Sequence, residues 1–473
     1  MLGLKHNVEI GRAPSFDLTL RKDIVVTWNN NDVRGDIHFP RFEYQYWQQK
    51  VPCKTFIDDI PVLYGQEKPG FLFRDRVCGF DFVGAIFYLL SRQEEYLQDH
   101  RDLWGCFSAY YSILYEHGVL QRPMINYYLL HLKNELIATV QRKRIPLTQY
   151  PCWPGEKQFA ICLTHDVDQV GYNSLTLGLR NAQRALGEKA ILQPARSVLG
   201  GARDSLRYRG PNSPCNFEQW LKVEDEVNAR SSFYFIPFFK ERHKWDSAYS
   251  FNDRVVFNGK RAMVSEMMRE MRSGGWEVGL HGSYYSFNDV ARLSAERQAV
   301  ESAVRGKITG GRQHYLHLKV PDTWRAQQAA SLEYDTTLGY NEEIGHRAGI
   351  ALPFTVYDLD QDQELALIEI PLTIQDNVLV NYLRLDLNGA LKRCISIIDE
   401  VASVGGVVTL LWHPNSYSNR ELWTAYRELL SYSESKGAWL TSASNIIEYW
   451  RKRMAQLLAE ETYSQKLYAS GSD

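Results

Sequence analysis

The segment Phe159-Ala-Ile-Cys-Leu-Thr-His-Asp-Val-Asp168 joins an apolar run to a pair of carboxylates and decides the fold of this chain. Its first five residues are all apolar, without the polar alternation of a strand that has one face in water. Such runs are typical of strands buried on both faces of a parallel sheet. Because side chains alternate along an extended backbone, Asp166 and Asp168 are expected to point to the same side. The segment therefore predicts a buried strand that ends in two adjacent acids.

Downstream of this segment, apolar strand candidates alternate with amphipathic helices. The predicted strands are Phe159–Thr164, Ser232–Pro237, Glu277–His281, Arg312–Leu316, Leu365–Thr373, Val407–His413 and Trp439–Thr441. The predicted helices are Phe217–Ala229, Arg261–Ser273, Asn288–Arg305, Gly389–Ser403 and Ser442–Leu458. This alternation indicates a parallel sheet covered by helices. About seven strand–helix units predict an α/β fold, and a (β/α) barrel rather than a short open sheet.

Residues 1–150 differ in pattern from the rest and predict a smaller α+β N-terminal domain. Its predicted elements are two strand runs, Ile24–Trp28 and Phe56–Leu63, and two helical stretches, Phe82–Tyr96 and Pro123–Arg142. The breaker-rich segment 150–155, Tyr-Pro-Cys-Trp-Pro-Gly, separates this domain from a barrel that spans residues 155–460. No motif in the N-terminal domain indicates chemistry. We expect the domain to pack beside the mouth of the barrel and to shape access to it.

The composition is that of a soluble globular protein and argues against several classes of function. A formal net charge of −2 over 473 residues argues against nucleic acid as the main partner. The seven cysteines are odd in number and form no Cys-x-x-Cys pair, which is typical of a reducing compartment. The sequence begins without an apolar leader and has no uninterrupted apolar stretch of membrane-spanning length. We therefore expect a cytoplasmic protein with no transmembrane segment.

One segment, Ser174–Gly210, interrupts the strand–helix rhythm with seven basic residues against two acidic ones. The simplest interpretation is a solvated helical insertion or loop, because charge runs usually face solvent. The alternative is a lid, or a peripheral surface that contacts anionic lipid or the phosphate of a substrate.

Ionisable residues recur at the ends of the predicted strands, where barrels place their active sites. The neighbouring carboxylates of Asp166 and Asp168 repel each other unless a cation or a shared proton relieves them. Three further strand candidates carry His281, His314 and His413 at or near their ends. Carboxylates and imidazoles that converge on one mouth suit Zn²⁺ or a similar divalent ion. Taken singly, each residue has a simpler interpretation, as a helix-capping Asp or a hydrogen-bonded core His.

Five short motifs appear in order along the predicted barrel. They are Thr164-His-Asp-Val-Asp168, Glu277-Val-Gly-Leu-His281, Arg312-Gln-His-Tyr315, Tyr334-Asp-Thr-Thr337 and Leu411-Trp-His-Pro414. Over residues 155–450 they resemble the successive motifs of the polysaccharide deacetylases, the NodB-homology superfamily of carbohydrate esterases. More narrowly, the chain resembles a cytoplasmic bacterial branch that carries an extra N-terminal domain. The resemblance implies a distorted, usually seven-stranded barrel that hydrolyses an N-acetyl or O-acetyl group on a sugar.

The resemblance also implies a role for each matched residue on the metal side of the site. Asp168 and His281 would bind the divalent metal, most simply Zn²⁺. Asp166 would be the catalytic base that activates water. Arg312 would keep Asp166 ionised through a charge-assisted hydrogen bond.

Three further roles are implied on the side of the leaving group. The backbone N–H of Tyr315 would help to stabilise the oxyanion. His413 would protonate the departing amine, with Asp335 or a neighbouring carboxylate setting its charge. The products would be acetate and a sugar with a free amine or hydroxyl.

The second motif departs from the pattern of the superfamily. A second histidine usually stands four residues after the first, but Tyr285 occupies that position here. Tyr is a poor ligand near neutral pH, because its phenol loses a proton only near its pKa of about 10. The third ligand would then be His314, which stands where the third motif usually has a proline, or His317, and His314 is better placed in the motif. Without such a replacement the site has two ligands or binds no metal.

Three functions are therefore open from the sequence. The first is a metal-dependent deacetylase of a sugar or glycan precursor, in surface-polysaccharide metabolism. The second is a non-catalytic carbohydrate-binding relative that lost a metal ligand. The third is a phosphoesterase on the same barrel, which the basic segment 174–210 would favour.

Overall fold

The structure is a computed structural model that describes most of the chain. Residues 77–144, 152–171, 214–239 and 241–469 are described continuously, together with the short segments 16–20, 24–29, 36–40, 55–57, 60–62 and 73–74. The basic insertion predicted at 174–210 lies outside the described residues.

The N-terminal region contains both strands and helices. Its strands are β1 (Phe16–Leu20), β2 (Ile24–Asn29), β3 (Ile37–Pro40), β4 (Thr55–Ile57), β5 (Ile60–Val62), β6 (Phe73–Arg74) and β7 (Val77–Cys78). Five of them form a sheet in the order β1-β2-β3-β7-β6, and β4 pairs with β5 in a separate hairpin. The helices are α1 (Phe82–Leu90), α2 (Gln93–Leu97), α3 (Ile113–Glu116) and α4 (Met124–Arg142). The helix predicted over Phe82–Tyr96 is interrupted at Arg92, whose backbone is left-handed.

A curled sheet of ten strands forms the centre of the predicted barrel. Its strands are β8 (Phe159–Val167), β9 (Ser232–Phe235), β12 (Glu277–Gly282), β13 (Gly310–Gln313), β14 (Tyr334–Asp335), β15 (Phe354–Asp358), β16 (Gln363–Glu369), β17 (Ile374–Gln375), β18 (Val407–Leu411) and β19 (Ala438–Thr441). Nine of them follow the order β15-β16-β14-β13-β12-β9-β8-β18-β17, and β19 pairs with β8. Every pairing is parallel except that of β15 with β16.

Strand β8 has neighbouring strands along both edges, which explains its apolar sequence. All nine of its residues are buried. It pairs with β18 along one edge, and with β19 and then β9 along the other. Because both edges of β8 are paired and both faces are packed, none of its side chains is exposed to water.

The seven predicted strands are all present, but the predicted number was too low. The additional strands are β14 and β17, of two residues each, and β15, which runs antiparallel beside β16. Among the described residues, the two end strands β15 and β17 do not pair with each other. The sheet is therefore a curled, open half-barrel, consistent with a NodB-like barrel.

Seven helices cover the sheet within the described part of the barrel region. They are α5 (Phe217–Asp225), α6 (Val264–Ser273), α7 (Val290–Val304), α8 (Asp322–Ala329), α9 (Leu387–Ser403), α10 (Arg420–Ser435) and α11 (Ala443–Ala469). The helix predicted from Arg261 begins at Val264 instead, because residues before it form the hairpin of β10 (Arg254–Phe257) and β11 (Lys260–Met263). Its turn residues Asn258 and Gly259 both have positive φ, as a two-residue hairpin turn requires.

The N-terminal region packs directly on the barrel region. One continuous apolar cluster includes residues from both, from Ile37 to Leu440. Beside it, the buried guanidinium of Arg347 pairs with Glu95 at 2.7 Å, and Glu95 also pairs with Arg92 at 2.9 Å. The division into domains 1–150 and 155–460 remains a prediction.

Two expectations from composition can be compared with the described residues. None of the helices placed there is both long enough and apolar enough to cross a membrane. No disulfide joins any of the six cysteines that fall in the described ranges.

Candidate metal centre

Five ionisable side chains from four strands meet at the carboxyl end of the sheet. Asp166 and Asp168 lie at the end of β8, His281 lies in β12, His314 follows β13 and His413 follows β18. Parallel strands that neighbour one another end at the same edge of a sheet, so residues distant in sequence become neighbours there. All five side chains line one cavity of about 290 Å³.

Asp168, His281 and His314 form a group of potential metal ligands. One donor atom from each lies within 4.8 Å of the others. Oδ1 of Asp168 is 3.3 Å from Nε2 of His281 and 3.5 Å from Nε2 of His314. Within the described residues, Oδ1 of Asp168 and Nε2 of His281 are buried without a hydrogen-bond partner. Buried polar atoms normally have partners, so atoms left unsatisfied around one point suit a bound cation.

The other nitrogen of each histidine is held by a partner that fixes the ring. Nδ1 of His281 is 2.9 Å from the carbonyl oxygen of Arg312. Nδ1 of His314 is 3.0 Å from Oδ1 of Asp246. In both cases Nε2 is left to face the cavity, as is typical of metal-binding histidines.

Asp246 is a functional candidate that the sequence analysis missed. Besides His314, it accepts hydrogen bonds from the backbone N–H groups of Tyr284 and His243, both at 2.9 Å. Burial raises the pKa of Asp246, but these donors outweigh burial and hold the pKa below its ordinary value. Asp246 is therefore an anion that orients the His314 ring, and its segment carries no motif that would have shown this.

Asp166 lies in the position expected of a base. Its Oδ1 accepts from Arg312 at 2.9 Å, and its Oδ2 is 3.8 Å from Nε2 of His281. The guanidinium of Arg312 is fully buried and also donates to Oγ1 of Thr164 and to the carbonyl of Thr336, both at 2.9 Å. A buried guanidinium with these fixed partners holds the carboxylate of Asp166 in one position beside the cavity.

The carboxylate that holds His413 is Asp376, not Asp335. Nδ1 of His413 is 2.7 Å from Oδ1 of Asp376, and the backbone N–H of His413 donates to Oδ2 at 2.9 Å. Asp335 instead accepts from Oγ1 of Thr337 at 2.6 Å and raises the pKa of Glu369 beside it. Asp335 ends β14, which four other strands separate from β18 along the sheet, whereas Asp376 follows β17, the neighbour of β18.

The backbone at Tyr315 differs from the strand predicted there. Strand β13 ends at Gln313, and Tyr315 and Leu316 follow with φ of +58° and +51°. Two consecutive non-glycine residues in the left-handed region are strained and persist only where their surroundings hold them. The carbonyl of Tyr315 accepts from Nδ2 of Asn341 at 2.9 Å, and that of Leu316 accepts from Sγ of Cys106 at 2.9 Å. This turn places the peptide unit of Tyr315 beside the cavity.

The two other candidates for the third ligand lie away from the centre. Tyr285, at the position of the usual second histidine, is 49% exposed and packs against His243. His317 is buried against Tyr284, whose carbonyl oxygen is 2.9 Å from its Nδ1. Neither belongs to the group of potential ligands, and His314 does.

The pKa shifts of the side chains in the site indicate that the cavity favours positive charge. Burial raises the pKa of Asp168, but His314, His281 and His413 outweigh it and hold the pKa well below its usual range. Burial lowers the pKa of His281, but Asp166 and Asp168 raise it above its ordinary value. Burial likewise lowers the pKa of His413, and the acids around it, Asp376 first, raise it to about 10. A cavity that favours cationic side chains in this way also favours a metal cation.

The mouth of the cavity includes a residue from the N-terminal region. Trp104 lines the cavity together with residues of the barrel region. The N-terminal region therefore lies beside the mouth, as its expected influence on access requires.

Comparison with known proteins gives a limited result. Residues 13–141 match a family of unknown function, DUF7033. No curated protein matches the chain.

Several solved structures resemble the chain at low identity. A protein from Mycobacterium smegmatis whose assigned class is polysaccharide deacetylase shares 18% identity over 65% of this chain and 96% of its own, with a TM-score of 0.42. Puue allantoinase shares 12% sequence identity over 65% of this chain and 94% of its own, with a TM-score of 0.42. BA3943, a CE4 family pseudoenzyme from Bacillus anthracis, shares 12% sequence identity over 63% of this chain and 69% of its own, with a TM-score of 0.30. At these values the likeness carries no argument about activity.

Proposed function

We propose that this protein is a metal-dependent hydrolase that removes an acetyl group from an N-acetylated or O-acetylated sugar or glycan precursor, in surface-polysaccharide metabolism. One observation carries the proposal. A group of potential metal ligands lines the same cavity as Asp166 and His413, and each of these two side chains is held by its own buried partner.

Asp168, His281 and His314 would hold the metal. One carboxylate and two imidazoles form a donor set that Zn²⁺ prefers, with room left for further ligands. When bound, such an ion polarises a carbonyl group and lowers the pKa of water.

The residues of the chain supply the proton transfers. Asp166, kept ionised by Arg312, accepts a proton from the attacking water. The water oxygen forms a bond to the acetyl carbon, and the backbone N–H of Tyr315 donates to the carbonyl oxygen as negative charge develops there. His413, which Asp376 keeps protonated, donates a proton to the leaving nitrogen or oxygen as its bond to the acetyl carbon breaks. Acetate and a free sugar amine or hydroxyl are released.

The non-catalytic alternative rested on the absence of the second-motif histidine. His314 lies where a replacement ligand is needed, 3.5 Å from Asp168, which favours an active site. The phosphoesterase alternative rested on the segment 174–210. The lining of the cavity, within the described part of the chain, contains no Lys or Arg that would bind a phosphate.

Metal analysis and product analysis test the proposal together. The purified protein is expected to contain a stoichiometric divalent metal and to release acetate from N-acetylhexosamines. Asp168→Ala is expected to lose the metal, while the matched surface variant Asp225→Ala, whose side chain is 54% exposed, is expected to keep it. Asp166→Asn is expected to keep the metal and lose acetate release. A metal-loaded protein that releases phosphate from model esters, and no acetate from any acetylated sugar, would overturn the proposal.

A further inference from the structure

A loop of the N-terminal region reaches into the mouth of the cavity. Arg101 and Phe107 pair as an isolated antiparallel bridge, so residues 101–107 form a tight closed loop. Inside it, Oδ1 of Asp102 accepts from the backbone N–H groups of Trp104 at 2.8 Å and Cys106 at 2.9 Å. Gly105 has a φ of +82°, and a β-carbon there would come within 3.1 Å of His317. The loop is thus built to present Trp104 at its tip.

Several hydrogen bonds fasten this loop to the barrel region. Nδ2 of Asn341 donates to Oδ2 of Asp102 at 2.9 Å. Sγ of Cys106 donates to the carbonyl of Leu316 at 2.9 Å. The hydroxyl of Tyr284 donates to the carbonyl of Trp104 at 3.1 Å. The position of the loop tip relative to the cavity is therefore fixed before any ligand binds.

The indole ring of Trp104 is held in one orientation. It stacks on the ring of Tyr315, with centroids 4.3 Å apart and planes 23° apart. Its edge contacts Trp245, and its N–H donates to the hydroxyl of Tyr382 at 2.8 Å. The ring is only partly buried and lines the cavity. A rigid, partly exposed aromatic ring offers apolar contact area at little entropic cost to a ligand that has an apolar face.

The rest of the lining is polar but largely uncharged above the metal ligands. Carboxamides line the wall at Asn341, Gln375, Asn377 and Asn381. A carboxamide both donates and accepts hydrogen bonds, which matches hydroxyl and acetamido groups. None of the wall residues in the described ranges is Lys or Arg.

We propose that the N-terminal region supplies the sugar-binding wall of the active site, with Trp104 as a residue that determines specificity for an uncharged N-acetylhexosamine unit. The inference rests on the proposed function and names its substrate class. The sugar ring lies against Trp104, its hydroxyls face the carboxamides, and its acetyl group reaches the acids at the floor. The N-terminal region then contributes directly to substrate binding.

Direct binding tests this inference without relying on turnover. Calorimetric titration of the full chain, in the Asp166→Asn background, uses methyl glycosides of N-acetylglucosamine, N-acetylgalactosamine and N-acetylmannosamine, with N-acetylneuraminic acid as the anionic probe. Trp104→Ala is expected to weaken binding of the best neutral probe about tenfold or more, the loss of one aromatic contact of this kind. Trp104→Phe keeps a ring and is expected to lose about threefold or less. Leu103→Ala is the matched control. Leu103 lies on the same loop and is 83% exposed, so this variant is expected to bind the probe as the parent does.

Steady-state kinetics distinguish a loss of sugar binding from a disturbance of Tyr315, on which Trp104 stacks. In the otherwise unaltered chain, Trp104→Ala is expected to raise KM for the sugar, and to lose about tenfold more activity on it than on p-nitrophenyl acetate, which has no sugar ring. Equal binding by Trp104→Ala and its parent, tighter binding of the anionic probe, or no binding of any neutral probe would each overturn the inference. If the sugar binds through Trp104 but metal-loaded wild-type protein releases no acetate, the proposed function fails and the inference stands.

Discussion

Replacing Asp376 with Asn isolates the group that controls the charge of His413. The buried carboxylate of Asp376 accepts from Nδ1 of His413 at 2.7 Å and from its backbone N–H at 2.9 Å. With smaller contributions from Asp168 and Asp166, this pair outweighs burial and raises the pKa of His413 to about 10. A general acid acts only while it carries its proton, so His413 is competent at neutral pH and loses competence as pH rises through its pKa.

The size of the effect follows from this pKa. A rise from 6.5 to about 10 is worth about 5 kcal/mol in favour of the imidazolium. Asp376 is the largest cause of the rise, and burial, which opposes it, is unchanged by a substitution with Asn. Removing one close opposite charge lowers a pKa by about 1–3, so the basic limb of the pH profile is expected to move down by about that amount. Activity well above the new limb is then expected to fall about 10-fold to 1000-fold.

The measurement is the initial rate of acetate release as a function of pH. Asp335→Asn is the matched control, because it makes the same change in another buried acid that bonds Thr337 rather than His413. The control is expected to lose activity at the same alkaline pH as the wild-type protein. The reasoning fails if Asp376→Asn keeps its limb near that of the wild type, or if Asp335→Asn shifts the limb as far.

Three further predictions concern the metal and the fold. His314→Ala is expected to lose the metal by elemental analysis and His317→Ala to keep it; metal retained in the first variant would remove His314 from the site. Asp246→Asn is expected to weaken metal affinity about 10-fold to 100-fold in a chelator competition, because it loosens the His314 ring, and unchanged affinity would refute that role. Arg312→Met is expected to lower the free energy of unfolding in urea by about 3–5 kcal/mol, because the buried carboxylate of Asp166 loses its guanidinium partner, with Arg312→Lys less affected; a small change in both variants would contradict the importance of this pair.

The sequence predicted seven of the ten strands of the sheet, most clearly those with apolar runs. Strand β8 was recognised from its unbroken apolar run, and the acids at its end follow from the alternation of an extended backbone. The β10–β11 hairpin was missed, although the Asn258-Gly259 pair is a strong signal for a two-residue turn. The amphipathic pattern of the following helix extended back over β11 and concealed it.

The candidate site was predicted in part, and the missing residues share one property. Asp246 and Asp376 act through histidines that are far from them in sequence, and neither lies in a recognisable motif. Their roles depend on which strands become neighbours, and strand order is not contained in a local pattern. Trp104 was missed for the same reason, since only the packed structure places its loop at the mouth.

In the proposed site, the third ligand His314 lies at the end of β13 and not in the loop after β12, and this has a structural consequence. A ligand pair within one loop keeps its spacing whatever the neighbouring strand does. Here His281 and His314 keep their separation only while β12 and β13 stay in register, with His281 beside Arg312. The close approach of these strands depends on Gly311, where a methyl group would overlap the carbonyl of Leu280. Metal binding at the proposed site therefore depends on a small residue in β13 that lets the two strands lie close together.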